Sequence, residues 1–298
     1  MKKSVSLLLA GLMLCGALTG CGGNNSTAEN TDSQTAEGGE STGMSGAIHV
    51  VSREDGSGTR GAFVELTGVE DDNGDNTTVE AEIANRTDAV LTTVAGNEAA
   101  IGYVSLGSLN DTVKAVTVDG VEATVDNVKS GDYTLSRPFN IATKGEPTGV
   151  AADFINFIMS ADGQAIVGED YITVNDNAEA FTSDGSSGHI TVGGSSSVSP
   201  VMEQLIEAYK AVNPNAQIDL QTSDSTSGMT GAMDGTFAIG MASRELKDEE
   251  AAELTGTAIA LDGIAVIVNT GNTVDNLTMD QIRSIYVGET TDWADVAA

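Results

Sequence analysis

The pattern of apolar and polar positions changes character at Ile48. From there short β-rich runs recur: "IHVVS", "AAIGYVS", "HITVGGS", "AQIDLQTS", "FAIGMAS" and "GIAVIVN", each of strand length. Between them lie stretches whose apolar residues fall at helical spacing. One holds Met202, Leu205, Ile206, Tyr209 and Val212, a second Phe154, Ile155, Phe157 and Ile158, a third Ile282, Ile285 and Tyr286. Strand followed by helix, repeated, predicts α/β layers. In open sheets of that kind ligands collect beyond the carboxyl ends of strands, where helix N-termini point.

Three unusual loops fall at such places. Strand "IHVVS" runs into Arg53, Glu54, Asp55, Gly56, Ser57, Gly58 and Thr59, ahead of the helix-like "RGAFVEL". "HITV" runs into "GGSSSVSP", with Ser199 expected as an N-cap and Pro200 at the first helical position. "AQIDLQ" runs into "SDSTSGMTGAM". Free backbone N–H groups at a helix start, with the helix dipole behind them, form an anion site without net positive charge. Glycine lets the backbone approach, hydroxyls add donors, and an arginine supplies a charge-assisted fork. One such loop is an ordinary helix cap; three of one design predict a site for a small tetrahedral oxyanion.

Before Ile48 the pattern differs. Lys2 and Lys3 precede the apolar "SLLLAGLMLCGAL", and "LTGC" follows. Residues 1–20 read as an export signal, and "LTGC" resembles a bacterial lipobox, which implies cleavage before Cys21 and a lipid on its thiol. An ordinary signal peptide is the alternative. The run is too short for a comfortable transmembrane span. Cys15, the other cysteine, lies inside the signal, so no disulfide is expected in the mature chain. Small polar and acidic residues make 21–46 a solvated tether between lipid and folded body.

Composition narrows the partners. The 298 residues exceed one ordinary domain, and 40% hydrophobic content can fill two cores. With 13 basic against 44 acidic residues and a formal charge of −31, nucleic acid and anionic membrane surfaces would be repelled. Enzyme signatures are missing. There is no "GxxxxGK[ST]" and no "GxSxG", the only histidines are His49 and His189 at strand starts, and no Cys/His cluster could hold a metal. Binding without chemistry, cofactor or metal is the expectation.

The segment "GHITVGGSSSVSPVMEQLIEAYKAVNPNAQIDLQTSDSTSGMTGAMDGTFAIGMASRELKDEE" resembles the opening of the phosphate-binding lipoproteins of Pst-type ABC importers. "IHVVSREDGSGTRGAF", "AAIGYVSLGSLND" and "SRPFNIATKGEPTGVAADFINFIMSADGQAIV" resemble that family's later part. The resemblance covers nearly everything after Ile48. It implies a two-lobed α/β fold, the class II periplasmic-binding-protein fold, with phosphate in the cleft. The order is reversed: "LTMDQIRSIYVGETTDWADV", which ordinarily precedes "SREDGSGTR", here ends the sequence. A circular permutation is implied, with 47–136 plus 269–298 as one lobe and 137–268 as the other; a piece of a longer tandem protein is the alternative.

Carried over by position, the family's ligand set becomes Ser196 and Ser197, then Ser225 and Thr226, then Arg53, Asp55, Ser57, Gly58 and Thr59. Ser243 belongs to the expected set too, and it stands where some members place an aspartate that accepts the ligand's proton, which puts phosphate-over-sulfate discrimination in doubt. Asp55 is expected either to supply that acceptor or to hold Arg53. The resemblance implies a monomeric, lipid-anchored, extracytoplasmic receptor that delivers phosphate to a membrane permease. Another oxyanion (sulfate, molybdate), a phosphate-responsive surface module and a phosphoester-acting enzyme are the alternatives.

Overall fold

The computed structural model describes residues 44–296; the expected signal, Cys21 and the tether up to residue 43 lie outside the described residues. Met44–Gly46, expected as the end of the tether, are held against the body. Met44 N–H donates to Thr273 Oγ1 at 2.7 Å and Gly46 N–H to Asp292 Oδ1 at 2.9 Å.

The elements that position the site are, in order, β1 (His49–Arg53), α1 (Gly58–Leu66), β2 (Glu82–Ala84), α2 (Thr87–Ala95), β3 (Ala100–Ser105), β4 (Val113–Ala115) and β5 (Ser136–Thr143). They continue with α3 (Val150–Met159), α4 (Ala161–Asp170), β6 (Gly188–Ser195), α5 (Ser199–Val212), β7 (Ala216–Ser223), α6 (Ser225–Asp234), β8 (Ile239–Ala242), β9 (Thr255–Asn269) and α7 (Met279–Tyr286). The strands form one mixed sheet in the order β7-β6-β8-β5-β9-β3-β1-β2, with β4 also paired to β9. Strands that open into the three loops run parallel to their neighbours, β1 beside β2 and β3, β6 beside β7 and β8, whereas β5 and β9 are antiparallel.

Apolar periodicity explains the layers. In β9, Ile264, Val266 and Val268 face one core and Ala265 and Ile267 another, so this half of the sheet is covered on both faces and its strands read as continuous apolar runs. In the other half Phe139, Ile141, Val192 and Ile239 pack against Phe154 and Phe157 of α3 and Leu205 and Tyr209 of α5. On the opposite face the buried apolar residues are Ala142, Met229, Ala232, Ala242 and Leu254, with Met233 and Leu246 packed against them, a thin layer that brings α6 close to the sheet.

Each expected strand forms. "GIAVIVN" proves to be the end of the longer β9, and β5 was not expected as a strand. Its alternation is interrupted by Arg137 and Asn140, which are buried because each has a partner, Arg137 the Asp262 carboxylate and Asn140 the Arg244 carbonyl. The start of α5 also differs: Val198 holds the cap position, and Ser199 is already helical, its hydroxyl donating to Ser195 O at 3.2 Å. Pro200 sits in the first turn, where its missing N–H costs nothing.

β5 and β9 run side by side from one pair of cores to the other; Ser136 is in register with Gly263, and Arg137 with Asp262. The two ends of the described chain meet. Ala47 bridges Asp292, Ile48 N–H donates to Thr291 O, and Trp293 N–H to Gly46 O, each at 2.9 Å for the last two bonds.

Candidate functional site

The loops after β1, β6 and β7 converge on a buried set of hydroxyls. Thr59 Oγ1, in the first turn of α1, hydrogen-bonds with Ser197 Oγ at 2.9 Å and Ser243 Oγ at 3.2 Å. Ser195 Oγ donates to Ser243 Oγ at 3.0 Å, and Ser243 N–H donates to Ser225 Oγ at 3.0 Å. Thr87 Oγ1, at the start of α2, hydrogen-bonds with Ser196 Oγ at 3.2 Å and Ser197 Oγ at 3.3 Å. All seven side chains are buried. Thr59 and Thr87 come from one half of the sheet and the five serines from the other.

Two buried guanidinium groups border this cluster. Arg53, 2% exposed, donates through Nη2 to Ser196 Oγ at 3.1 Å and through Nη1 to Thr87 Oγ1 at 3.4 Å. Its Nε and Nη2 also form a parallel pair of bonds to Glu54, both 2.8 Å. Arg137, 3% exposed, is ion-paired through Nη1 with Asp262, and its Nη2 donates to Thr59 Oγ1 at 3.3 Å. Burial pushes the Asp262 carboxyl up and Arg137 down from their ordinary values, while each is favoured by the other's charge. Tyr103, which hydrogen-bonds with Ser52 and accepts from the Arg53 N–H, is pushed up to about 12 by burial and stays protonated.

The first turns of α1 and α6 carry Thr59 and Ser225 into the cluster. Of the N–H groups there that lack an intrahelical acceptor, Arg60 donates to Ser57 Oγ, Thr226 to the Gly56 carbonyl and Ser227 to Asp224 Oδ1. Gly58 is required by contact: a Cβ there would overlap the Ser225 and Ser243 hydroxyls.

The structure brings Ser196, Ser197, Ser225, Ser243, Arg53, Gly58 and Thr59 together and separates the rest of the expected set. Asp55 is a correction. Its side chain is 97% exposed and pairs with Arg60 at 2.6 Å, so it neither faces the hydroxyls nor holds Arg53, which Glu54 does instead. After β1 the Glu54 side chain lies against Arg53 while Asp55 faces outward. Ser57 is buried, but its Oγ caps α1 by accepting from Arg60 N–H at 3.3 Å. Thr226 lies beyond the cluster beside Arg244 Nη2, at 3.4 Å. Sequence reading missed Thr87, Ser195, Glu54, Arg137 and Asp262. A threonine opening the amphipathic "TDAVLTTVA" was the one local signal, for Thr87. His49 and His189 pair with Glu82 and Asp219, at the opposite ends of their strands from the loops.

A surface cleft of about 380 Å³ reaches the cluster at Thr87 and Ser196 and is also lined by Ser108, Ser199 and Thr222. A second cleft, of about 480 Å³, is lined by Asp55, Ser57, Arg60, Asp75, Thr226 and Arg244 and includes none of the seven hydroxyls.

The profile of the PBP superfamily domain matches residues 28–162 and 179–298. Phosphate-binding protein PstS 2 of Streptococcus agalactiae serotype V is 46% identical over 99% of this chain and 98% of its own length. Phosphate-binding protein PstS 2 of Streptococcus pneumoniae serotype 4 is 43% identical over 98% of this chain and 99% of its own. Among solved structures, the phosphate-binding protein of a phosphate ABC transporter from Streptococcus pneumoniae TIGR4 superposes with a TM-score of 0.68 at 46% identity, covering 84% of this chain and 100% of that one.

Proposed function

Because the chain belongs to the PBP superfamily and, within it, to the family of the streptococcal phosphate-binding proteins, we propose that it is the receptor that captures inorganic phosphate outside the cytoplasmic membrane and hands it to the permease of an ABC importer. The observation that carries this reading is the convergence of seven buried hydroxyls and two buried arginines where the β1, β6 and β7 loops meet. Hydroxyls donate to phosphate oxygens and also accept the proton that phosphate keeps at neutral pH. The protein's role ends at binding; no chemical step is part of this reading. Export, a lipid on Cys21 and action as a monomer belong to the same proposal.

In the described state the hydroxyls bond one another across the two halves, as Thr59 does with Ser197. Phosphate would exchange those bonds for its own, so entry requires the halves to part about β5 and β9. The lobe division in this reading passes through β9 near Asp262, since Ile264 and Val266 pack with the first half, and not after Val268. The meeting of Gly46–Ile48 with Thr291–Trp293 supports the permuted order.

A second reading, a receptor for sulfate or molybdate, is favoured by one observation: the two carboxylates beside the cluster, half-buried Glu54 and buried Asp262, are each paired with an arginine, Glu54 with Arg53 and Asp262 with Arg137. Competition against bound phosphate decides between them. Arsenate should displace phosphate, and sulfate and molybdate should need at least a hundredfold higher concentration. Asp55→Asn should leave that ratio within about threefold of wild type, since Asp55 faces solvent. Equal displacement by sulfate would establish the second reading, and a lost preference in the Asp55 variant would return that residue to the site.

A further inference from the structure

Two arginines border the hydroxyl cluster, and they use their guanidinium edges differently. The Nε and Nη2 hydrogens point the same way and form the fork that engages carboxylate and phosphate oxygens two at a time. In Arg53 that fork is occupied by Glu54, with both bonds at 2.8 Å. In Arg137 it is not. Asp262 holds Nη1 instead, where the Gly263 carbonyl also accepts at 2.8 Å. Arg137 Nη2 touches Thr59 Oγ1 at 3.3 Å, and Nε is buried with no partner among the described residues.

An unpartnered N–H on a buried cation is costly, and it is tolerated where a ligand or solvent oxygen completes it. Thr59 Oγ1 is also the hub of the cluster, bonded to both Ser197 and Ser243. We propose that Arg137 contacts the bound anion directly, presenting its Nε/Nη2 fork to a phosphate oxygen beside Thr59, and that Asp262 is a positioning residue that fixes the fork from behind. This rests on the phosphate-binding reading.

The supporting structure is built for that orientation. Arg137 and Asp262 are in register on β5 and β9, the two strands that run between the halves, so the guanidinium is held by backbone common to both. Ser105 Oγ donates to Asp262 Oδ2 at 2.7 Å, and the Phe139 ring lies under the guanidinium with its centroid 5.0 Å from Cζ. The charge of Arg53 disfavours protonated Arg137, a repulsion that an anion between the two groups relieves.

The test separates a ligand contact from a structural ion pair. Replacing both partners of a buried pair by apolar residues of similar size is commonly neutral for stability, whereas removing one is not. The double variant Arg137→Met/Asp262→Leu should therefore melt within a few degrees of wild type without ligand, yet bind phosphate at least thirtyfold more weakly by calorimetry. Arg137→Lys keeps the charge but not the fork; it should lose at least tenfold in affinity, and it carries the test by itself if the double variant does not fold. Wild-type affinity in either folded variant overturns the proposal. Phosphate binding absent in the wild-type protein overturns the phosphate reading itself, and this inference with it.

Discussion

Arg53→Ala should weaken phosphate binding by roughly 2 to 5 kcal/mol, about thirtyfold to several thousandfold. Arg53 reaches both sides of the cluster, Ser196 from one half and Thr87 from the other. Removing it deletes charge-assisted donors and also leaves Glu54 unpaired beside an incoming anion. Lysine should not restore the affinity, because one ammonium cannot hold Glu54 with two parallel bonds and still reach both hydroxyls. Arg60 is the control. It donates to Asp55, Asp75 and the Arg53 carbonyl and touches no hydroxyl of the cluster, so Arg60→Ala should cost less than about tenfold in affinity. Equal losses at the two positions would show that Arg53 acts only through the shape of its loop.

The largest effect on folding is expected at Gly228. A Cβ there would press on the Met241 carbonyl and the Gly194 Cα, both backbone, and Gly194 itself has φ +136. A Cβ at Gly240 would in turn meet the Gly228 carbonyl. These three glycines let α6 lie directly on β6 and β8, and that approach places Ser225 among the hydroxyls. Gly228→Val should destabilise the protein by about 3 kcal/mol, since backbone on both sides cannot yield as a side chain would. Phosphate binding should weaken in whatever fraction remains folded. Gly61→Ala, in α1 with open space around the added methyl, should instead stabilise by about 0.5 to 1 kcal/mol. Urea unfolding measures both, and similar midpoints for the two variants would show that the close approach of α6 does not matter.

What was legible in the sequence was local. The three loops declare themselves because glycine, serine and threonine follow a strand within a few residues, and Ser196, Ser197, Ser225 and Thr59 can be picked out on that ground. The Arg137–Asp262 pair is different, since its members stand 125 positions apart and meet only when β5 and β9 pair. Arg137 also breaks the apolar alternation that would have marked β5 as a strand. Asp55 shows the converse failure. Its neighbours in sequence are site residues, but the turn into α1 directs consecutive side chains to opposite sides, so Glu54 faces Arg53 and Asp55 faces solvent. Thr87 opens α2 and reaches Ser196 across 109 positions, a contact that helix periodicity does not encode.

The central claim is that the hydroxyl cluster is a phosphate site. Its most direct test is calorimetric titration of the purified protein, stripped of bound anion, with inorganic phosphate at neutral pH. Donors on this scale, each charge-assisted bond worth about 1.5 to 3 kcal/mol, leave room after association costs for a net of about −8 kcal/mol. A one-to-one isotherm with a dissociation constant of about 1 μM or tighter is therefore predicted, and a folded protein that takes up no phosphate below millimolar concentrations would contradict it.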